Sequence, residues 1–160
     1  MNTFKILKQQ NQSGCIPACA ASVMRHLGIP RNPDWCEADL LGMYAPPIPQ
    51  PEPPGFEILK QFVNAHPEMK GWQVVIKDGH GSALKNLVTS VVRQYGPALI
   101  PVEGNPAHCV VIIEPDENGA VICDPSKDKP DQECVPWADI QKGWKGGLLH
   151  FEKIVRKEQQ

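Results

Sequence analysis

Three residues far apart in the sequence have the side chains that acyl transfer through a thiol requires. Cys15 is a candidate nucleophile, His108 a candidate base, and Asp124 a carboxylate that can orient the imidazole and hold its tautomer. A cysteine attacks as its thiolate, and both a helix N-terminus and an imidazolium favour that form. The pattern therefore predicts a nucleophile–base–orienter triad, provided that the fold brings the three side chains together.

The same chemistry needs a hydrogen-bond donor for the oxyanion that forms when the nucleophile attacks. Gln9 lies six residues before Cys15, and its side-chain amide could join the Cys15 backbone N–H in such a hole. Gln10 and Gln12 lie in the same stretch, so the chemistry alone leaves the choice among the three glutamines open.

The nucleophile is predicted to stand at the start of a buried helix. Small and apolar residues recur at helical spacing over 13–28, and Pro17 falls where a first turn tolerates proline. Gly28, followed by Pro30, ends this helix. Cys15 should therefore lie at or just before the helix N-terminus.

Two further segments precede the second half of the chain. A short helix is predicted over 33–43. Residues 45–54 contain six prolines, a density that predicts an extended, polyproline-like loop. We interpret this loop as a stiff connector, with a ligand for a proline-recognition domain as the alternative.

The second half of the chain predicts an antiparallel sheet. Asn118-Gly119 is a strong hairpin signal, so His108, which opens one strand, and Asp124, which closes the next, should lie near the same end of one hairpin. Helices early in the chain and a strand meander later indicate an α+β fold. The predicted elements are helices over 56–65, 82–94 and 137–144, and strands over 72–77, 97–102, 108–114, 120–124 and 148–155.

Several short motifs accompany these residues along the chain: Gln9…Cys15-Ile-Pro-Ala-Cys19, Gly96-Pro97-Ala98, His108-Cys109-Val110-Val111, Asp124-Pro125, and Trp137–Trp144 followed by Gly147-Leu148-Leu149. Together they resemble the papain-like cysteine peptidases, and most of all the branch that removes double-glycine leader peptides from bacteriocin precursors. The resemblance spans roughly residues 5–155 and implies a papain-like fold, with a helical half that carries the nucleophile packed on a C-terminal antiparallel sheet. It also implies that Gln9 is the oxyanion-hole residue and that cleavage follows Gly-Gly or a similarly small pair.

The cysteines raise the competing possibility of a metal site. Cys15-x₃-Cys19 and His108-Cys109 offer zinc-type ligands, but adjacent strand residues point to opposite faces, and no Cys-x₂-Cys pair occurs. We therefore expect no metal and no cofactor, reduced thiols rather than disulfides, and a structural role for Cys19 as a small buried side chain. The remaining histidines have no partner pattern and are expected to be surface or satisfied residues: His26, His66, His80 and His150.

Composition limits the remaining function classes. The 160 residues suit a single domain spanning 1–160, with a frayed tail over about 156–160, and the net charge of −2 argues against a nucleic-acid partner. No apolar run is long enough for a membrane span or a secretory signal, which predicts a cytoplasmic protein. A peptide or protein substrate is the expected partner, with a monomer as the working expectation.

The sequence therefore predicts a cysteine peptidase that hydrolyses a peptide bond through a Cys-His-Asp triad. A papain-like deamidase or acyltransferase of the toxin or effector type would use the same triad, and a mass change of about 1 Da rather than chain cleavage would reveal deamidation. Ile16, which stands where the family usually has glycine, keeps a catalytically idle peptide-binding module as a third alternative.

Overall fold

The computed structural model describes residues 4–9, 14–29, 55–64, 71–104 and 108–154. The predicted helix over 33–43, the proline-rich loop over 45–54, the tail and Cys36 lie outside these ranges. In chain order, the elements are α1 (Cys15–Leu27), α2 (Gly55–Asn64), β1 (Trp72–Lys77), a 3₁₀ turn (Gly81–Ala83), α3 (Leu84–Tyr95), β2 (Ala98–Val102), β3 (His108–Ile113), β4 (Gly119–Cys123), β5 (Glu133–Pro136), α4 (Trp137–Gly143) and β6 (Leu148–Lys153).

Helix α1 begins and ends where the sequence predicts. It starts after Gly14 and tolerates Pro17 in its first turn. Gly28 follows it in the left-handed conformation at φ 68°, and the Ile29 N–H donates to the Met24 carbonyl, which closes the last turn. Most residues of the helix are buried, and they include alanines, cysteines, a valine and a methionine. Cys15 lies in the first turn.

The strands form one antiparallel sheet in the order β1-β6-β2-β3-β4-β5. Val111 pairs with Cys123 and Ile112 with Ile122, so β3 and β4 are the predicted hairpin partners. This register places the first residue of β3 and the residue after β4 at the same end of the hairpin. The α+β expectation is confirmed.

Helices cover both faces of the sheet. Helices α1 and α2 pack on one face, and α3 and α4 pack on the other. Strand β3 shows the alternation that follows: Cys109 and Val111 join the core beneath α1, whereas Val110 and Ile112 join the core beneath α3. The helix that carries the candidate nucleophile therefore packs directly on the strand that carries the candidate base.

Strand β5 has no counterpart among the predicted strands. It pairs with β4 at the edge of the sheet, and most of its residues are exposed. A short, exposed segment that ends in proline lacks the apolar alternation that identifies a strand. Gly119 allows this pairing, because a Cβ at that position would lie 2.1 Å from the carbonyl oxygen of Val135.

Within the described ranges, no helix combines the length and the apolar character that crossing a membrane would demand.

Candidate active site

The end of the β3–β4 hairpin joins the candidate base to the candidate orienting carboxylate. His108 is the first residue of β3, and Asp124 follows the last residue of β4. The Nε2–H of His108 donates to Asp124 Oδ1 at 2.8 Å, and both side chains are about one-fifth exposed (19% and 18%). Since Nε2 faces the carboxylate, Nδ1 is the ring nitrogen left for a thiol.

A tight turn after β4 holds the carboxylate of Asp124. The backbone N–H of Ser126 donates to Asp124 Oδ1 at 2.9 Å, and the Ser126 hydroxyl oxygen lies 3.3 Å from His108 Nε2. Burial alone would raise the pKa of Asp124, but the hydrogen bonds from His108 and Ser126 outweigh it and lower that pKa below its ordinary value. The carboxyl group is therefore ionised at neutral pH.

Cys15, in the first turn of α1, lies near His108 across the contact between α1 and the sheet. The hydrogen bond to Asp124 and then the influence of Cys15 raise the pKa of His108 from 6.5 to about 9, against the opposing effect of burial. The imidazole is consequently protonated at neutral pH.

Gln9 lies beside the turn that carries Asp124. Its backbone N–H donates to the Pro125 carbonyl at 2.8 Å, which fixes the end of segment 4–9 against this turn. Gln10 and Gln12 lie outside the described residues, so the structure does not compare the three glutamines as oxyanion donors. The oxyanion role of Gln9 stays a prediction.

Sequence reasoning missed two residues of this region, Ser126 and Lys8. Asp124-Pro125-Ser126 does carry a signal, because an aspartate side chain often accepts the N–H two residues further on. Lys8 carries none: its ammonium binds backbone carbonyl oxygens, including that of Asp124 at 2.9 Å. Contacts with backbone atoms leave no pattern in side-chain types.

Cys19, four residues after Cys15 in α1, has the environment of a structural thiol. Cys19 is fully buried, and its Sγ lies 3.6 Å from the Cys109 carbonyl oxygen to which it donates. Burial raises the pKa of the Cys19 thiol well above its ordinary value, which makes it a poor nucleophile. The predicted role of Cys19 as a small buried side chain is confirmed. Among the described residues, no group of three or more His, Cys, Asp or Glu side chains has the arrangement of a metal site.

The expectation of a surface or satisfied residue is wrong for His150. This histidine is fully buried in β6 and stacks on Tyr95, with ring centroids 4.3 Å apart. Within the part of the chain that the structure describes, neither ring nitrogen makes a hydrogen bond of good geometry. The reason is that helices cover both faces of the sheet, so consecutive residues of β6 are buried whatever their polarity.

No protein-family model matches the chain, and no curated protein matches it. Solved structures do. The chain is similar to a double-glycine motif protease from an AMS/PCAT transporter, solved in complex with the leader peptide, at a TM-score of 0.59 and 16% identity over 92% of this chain and 90% of that one. The chain has the fold of double-glycine peptidase domains.

Two other solved structures of peptidases are similar to this chain in fold. The peptidase domain of Streptococcus ComA, a bifunctional ABC transporter involved in a quorum-sensing pathway, matches at a TM-score of 0.56 and 14% identity, over 94% of this chain and 98% of that chain. A C39-like peptidase from Bacillus anthracis matches at 0.55 and 16% identity, over 97% and 99%. The papain-like fold implied by the sequence motifs is therefore confirmed for nearly the whole chain, while identities this low establish the fold alone.

Proposed function

We propose that this protein is a cysteine peptidase that hydrolyses peptide bonds through Cys15, His108 and Asp124. The observation that carries the proposal is the hydrogen bond between His108 and Asp124 at 2.8 Å, together with the position of Cys15 in the first turn of the helix that packs on the strand of His108. The similarity of the fold to three peptidase structures supports the same reaction class. Hydrolysis needs no co-reactant other than water.

In the proposed mechanism, the Cys15 thiolate attacks the carbonyl carbon of the scissile peptide bond. The side-chain amide of Gln9 and the Cys15 backbone N–H stabilise the oxyanion of the tetrahedral intermediate. His108 donates its proton to the leaving amine, which departs and leaves a thioester on Cys15. His108 then takes a proton from water, and the resulting hydroxide attacks the thioester, which releases the acid product, ionised to the carboxylate, and restores the Cys15 thiolate beside protonated His108. Asp124 holds the imidazole in position throughout.

The proposed substrate is a peptide with a small pair such as Gly-Gly before the cleaved bond. Support comes from the double-glycine motif protease, whose structure was solved with a leader peptide. The processing of bacteriocin precursors is the corresponding biological setting in this proposal.

The test is incubation with peptides that differ only in the pair before the cleaved bond, Gly-Gly against Leu-Leu, with mass spectrometry of the products. We expect two fragments from the Gly-Gly peptide, and a loss of turnover of at least about 1,000-fold in Cys15→Ala and in His108→Ala. Cys134→Ala is the matched control, because Cys134 is an exposed thiol and its loss should leave turnover unchanged.

Retained turnover in either Cys15→Ala or His108→Ala, with circular dichroism showing a folded variant, would overturn the triad. An intact peptide whose mass rises by about 1 Da would replace hydrolysis of the chain by deamidation. An intact peptide that binds without change in mass would indicate a binding module.

A further inference from the structure

The strongest unassigned feature of the molecule is the environment of Lys8. Its Nζ lies 2.9 Å from the carbonyl oxygen of Asp124, 3.1 Å from that of Ser126 and 2.9 Å from that of Lys129. It also lies 3.2 Å from Asp131 Oδ1. All of these partners belong to the loop that joins β4 to β5.

This geometry is unusual for a lysine. An ammonium group has three N–H donors, and here three backbone carbonyl oxygens of one loop lie within hydrogen-bond distance. The Lys8 side chain is only 24% exposed, whereas lysines normally keep their charge in water and their rotamers free. Lys5, three residues earlier, is exposed, so the same segment offers a lysine of the ordinary kind.

The segment that carries Lys8 bridges the two halves of the candidate active site. On the side of α1, the Leu7 N–H donates to the Ser22 hydroxyl at 2.8 Å. On the side of the loop, the Gln9 N–H donates to the Pro125 carbonyl at 2.8 Å, and the Gln132 side-chain amide donates to the Phe4 carbonyl at 3.1 Å. The ammonium group of Lys8 adds charged hydrogen bonds to these contacts between segment 4–9 and the loop.

Both the backbone carbonyl and the side-chain carboxylate of Asp124 accept hydrogen bonds in this region. Its carbonyl oxygen accepts from Lys8 at 2.9 Å, while its carboxylate accepts from His108 at 2.8 Å. A change in the path of the loop would therefore move the carboxylate relative to the imidazole. Charge-assisted hydrogen bonds are stronger than neutral ones, so the ammonium is well suited to fix that path.

We propose that Lys8 is a positioning residue. Its ammonium group binds the carbonyl oxygens of Asp124, Ser126 and Lys129 and thereby keeps the Asp124 carboxylate within hydrogen-bond distance of His108. Its importance for turnover rests on the proposed peptidase function. Its effect on His108 does not, and that effect can be measured in the absence of any substrate.

The experiment is an NMR titration of the His108 imidazole in wild type and in Lys8→Met, with the His108 resonance assigned by its absence in His108→Ala. We expect the pKa of His108 to fall from about 9 towards its ordinary 6.5 in Lys8→Met, because the Asp124 carboxylate is no longer held. Loss of a nearby positive charge would by itself raise this pKa, so the sign of the shift separates positioning from direct electrostatics. A pKa that is unchanged or raised would overturn the proposal.

Lys5→Met is the matched control, since it removes an exposed lysine from the same segment and should leave the pKa of His108 unchanged. Where Lys8→Met does not fold, Lys8→Gln keeps two N–H donors without the charge, and the pKa should fall by a smaller amount. A folded Lys8→Gln whose pKa matches that of wild type would equally contradict the proposal.

Turnover separates this inference from the proposed function. In Lys8→Met we expect kcat to fall about 10- to 100-fold with KM little changed, as when the partner that orients a functional side chain is removed. If no peptide is cleaved by wild type but the pKa of His108 falls in Lys8→Met, the peptidase proposal fails and the positioning role stands. If peptide is cleaved and the pKa does not fall, the positioning role fails alone.

Discussion

Two histidines of the same sheet have pKa values shifted in opposite directions. His108 and His150 are both largely removed from water, but His108 contacts Asp124 and Cys15, whereas His150 stacks on Tyr95. The partners raise the pKa of His108 to about 9. Burial is the largest influence on His150 and lowers its pKa below its ordinary value. Burial alone therefore yields a neutral imidazole, and a charged one needs a carboxylate beside it.

Removal of the carboxylate should take away most of what distinguishes His108 from His150. In Asp124→Ala, we expect the pKa of His108 to fall from about 9 towards 6.5, because the hydrogen bond to Asp124 is the largest cause of the raised pKa, while Cys15 still opposes the effect of burial. Peptide turnover should fall by about 100- to 10,000-fold. NMR titration and peptide cleavage assays measure the two effects.

The matched control for this substitution is Asp128→Ala, since Asp128 is an exposed aspartate of the same loop. A pKa near 9 that persists in Asp124→Ala would mean that another group charges His108, and the comparison of the two histidines would lose its basis.

The raised pKa of His108 should also make the free energy of unfolding depend on pH. Because the folded pKa of about 9 exceeds the unfolded value near 6.5, the stabilisation is complete below pH 6.5 and is lost as pH rises through 9. The loss should reach at most ~3.4 kcal/mol in the free energy of unfolding, less what solvent screening removes. Urea denaturation at several pH values measures it.

His108→Ala is the comparison for this measurement. Its free energy of unfolding should lack the decline between pH 6.5 and pH 9 that wild type shows. Parallel curves for the two proteins would show that the ion pair contributes nothing to folding.

His150 should give the opposite dependence on pH. Its folded pKa lies below 6.5, so the unfolded chain binds the proton more readily, and stability falls as pH drops below 6.5. This slope is at most ~1.4 kcal/mol per pH unit. His150→Phe keeps the stacking on Tyr95, removes the buried ring nitrogens, and should be more stable than wild type by a margin that grows in acid.

Thermal unfolding at pH 5 and pH 8 tests this prediction. A stability difference between wild type and His150→Phe that is the same at both pH values would show that His150 does not titrate on folding.

The smallest expected effect is that of Ser126→Ala. The hydroxyl lies 3.3 Å from His108 Nε2, a long contact, whereas the backbone N–H that binds Asp124 remains in the variant. We expect turnover to fall by less than about tenfold, which corresponds to ~1.4 kcal/mol. A loss as large as that of Asp124→Ala would make the Ser126 hydroxyl an essential partner of His108.

Local signals in the sequence predicted most of this architecture. Gly28 and the apolar spacing that precedes it define α1, and Asn118-Gly119 defines the hairpin that joins His108 to Asp124. These signals are local, and the resemblance to a known family placed them in one fold. The same resemblance selected Gln9, whose role the geometry leaves as a prediction.

The remaining features depend on tertiary structure. Strand β5 exists because β4 offers it an edge, and its own residues carry no strand pattern. His150 is buried because helices cover both faces of the sheet, and Lys8 is fixed by carbonyl oxygens more than a hundred residues away. No pattern of side-chain types encodes such contacts.

The central claim is that His108 and Cys15 form an imidazolium–thiolate pair. The most direct test is brief alkylation of the native protein with iodoacetamide at about pH 5–6, where ordinary thiols are almost fully protonated, followed by peptide mapping. We predict selective labelling of Cys15, although it is buried and Cys134 is exposed, and loss of that labelling in His108→Ala. Labelling of Cys134 at the same rate as Cys15, or labelling of Cys15 that persists in His108→Ala, would contradict the account.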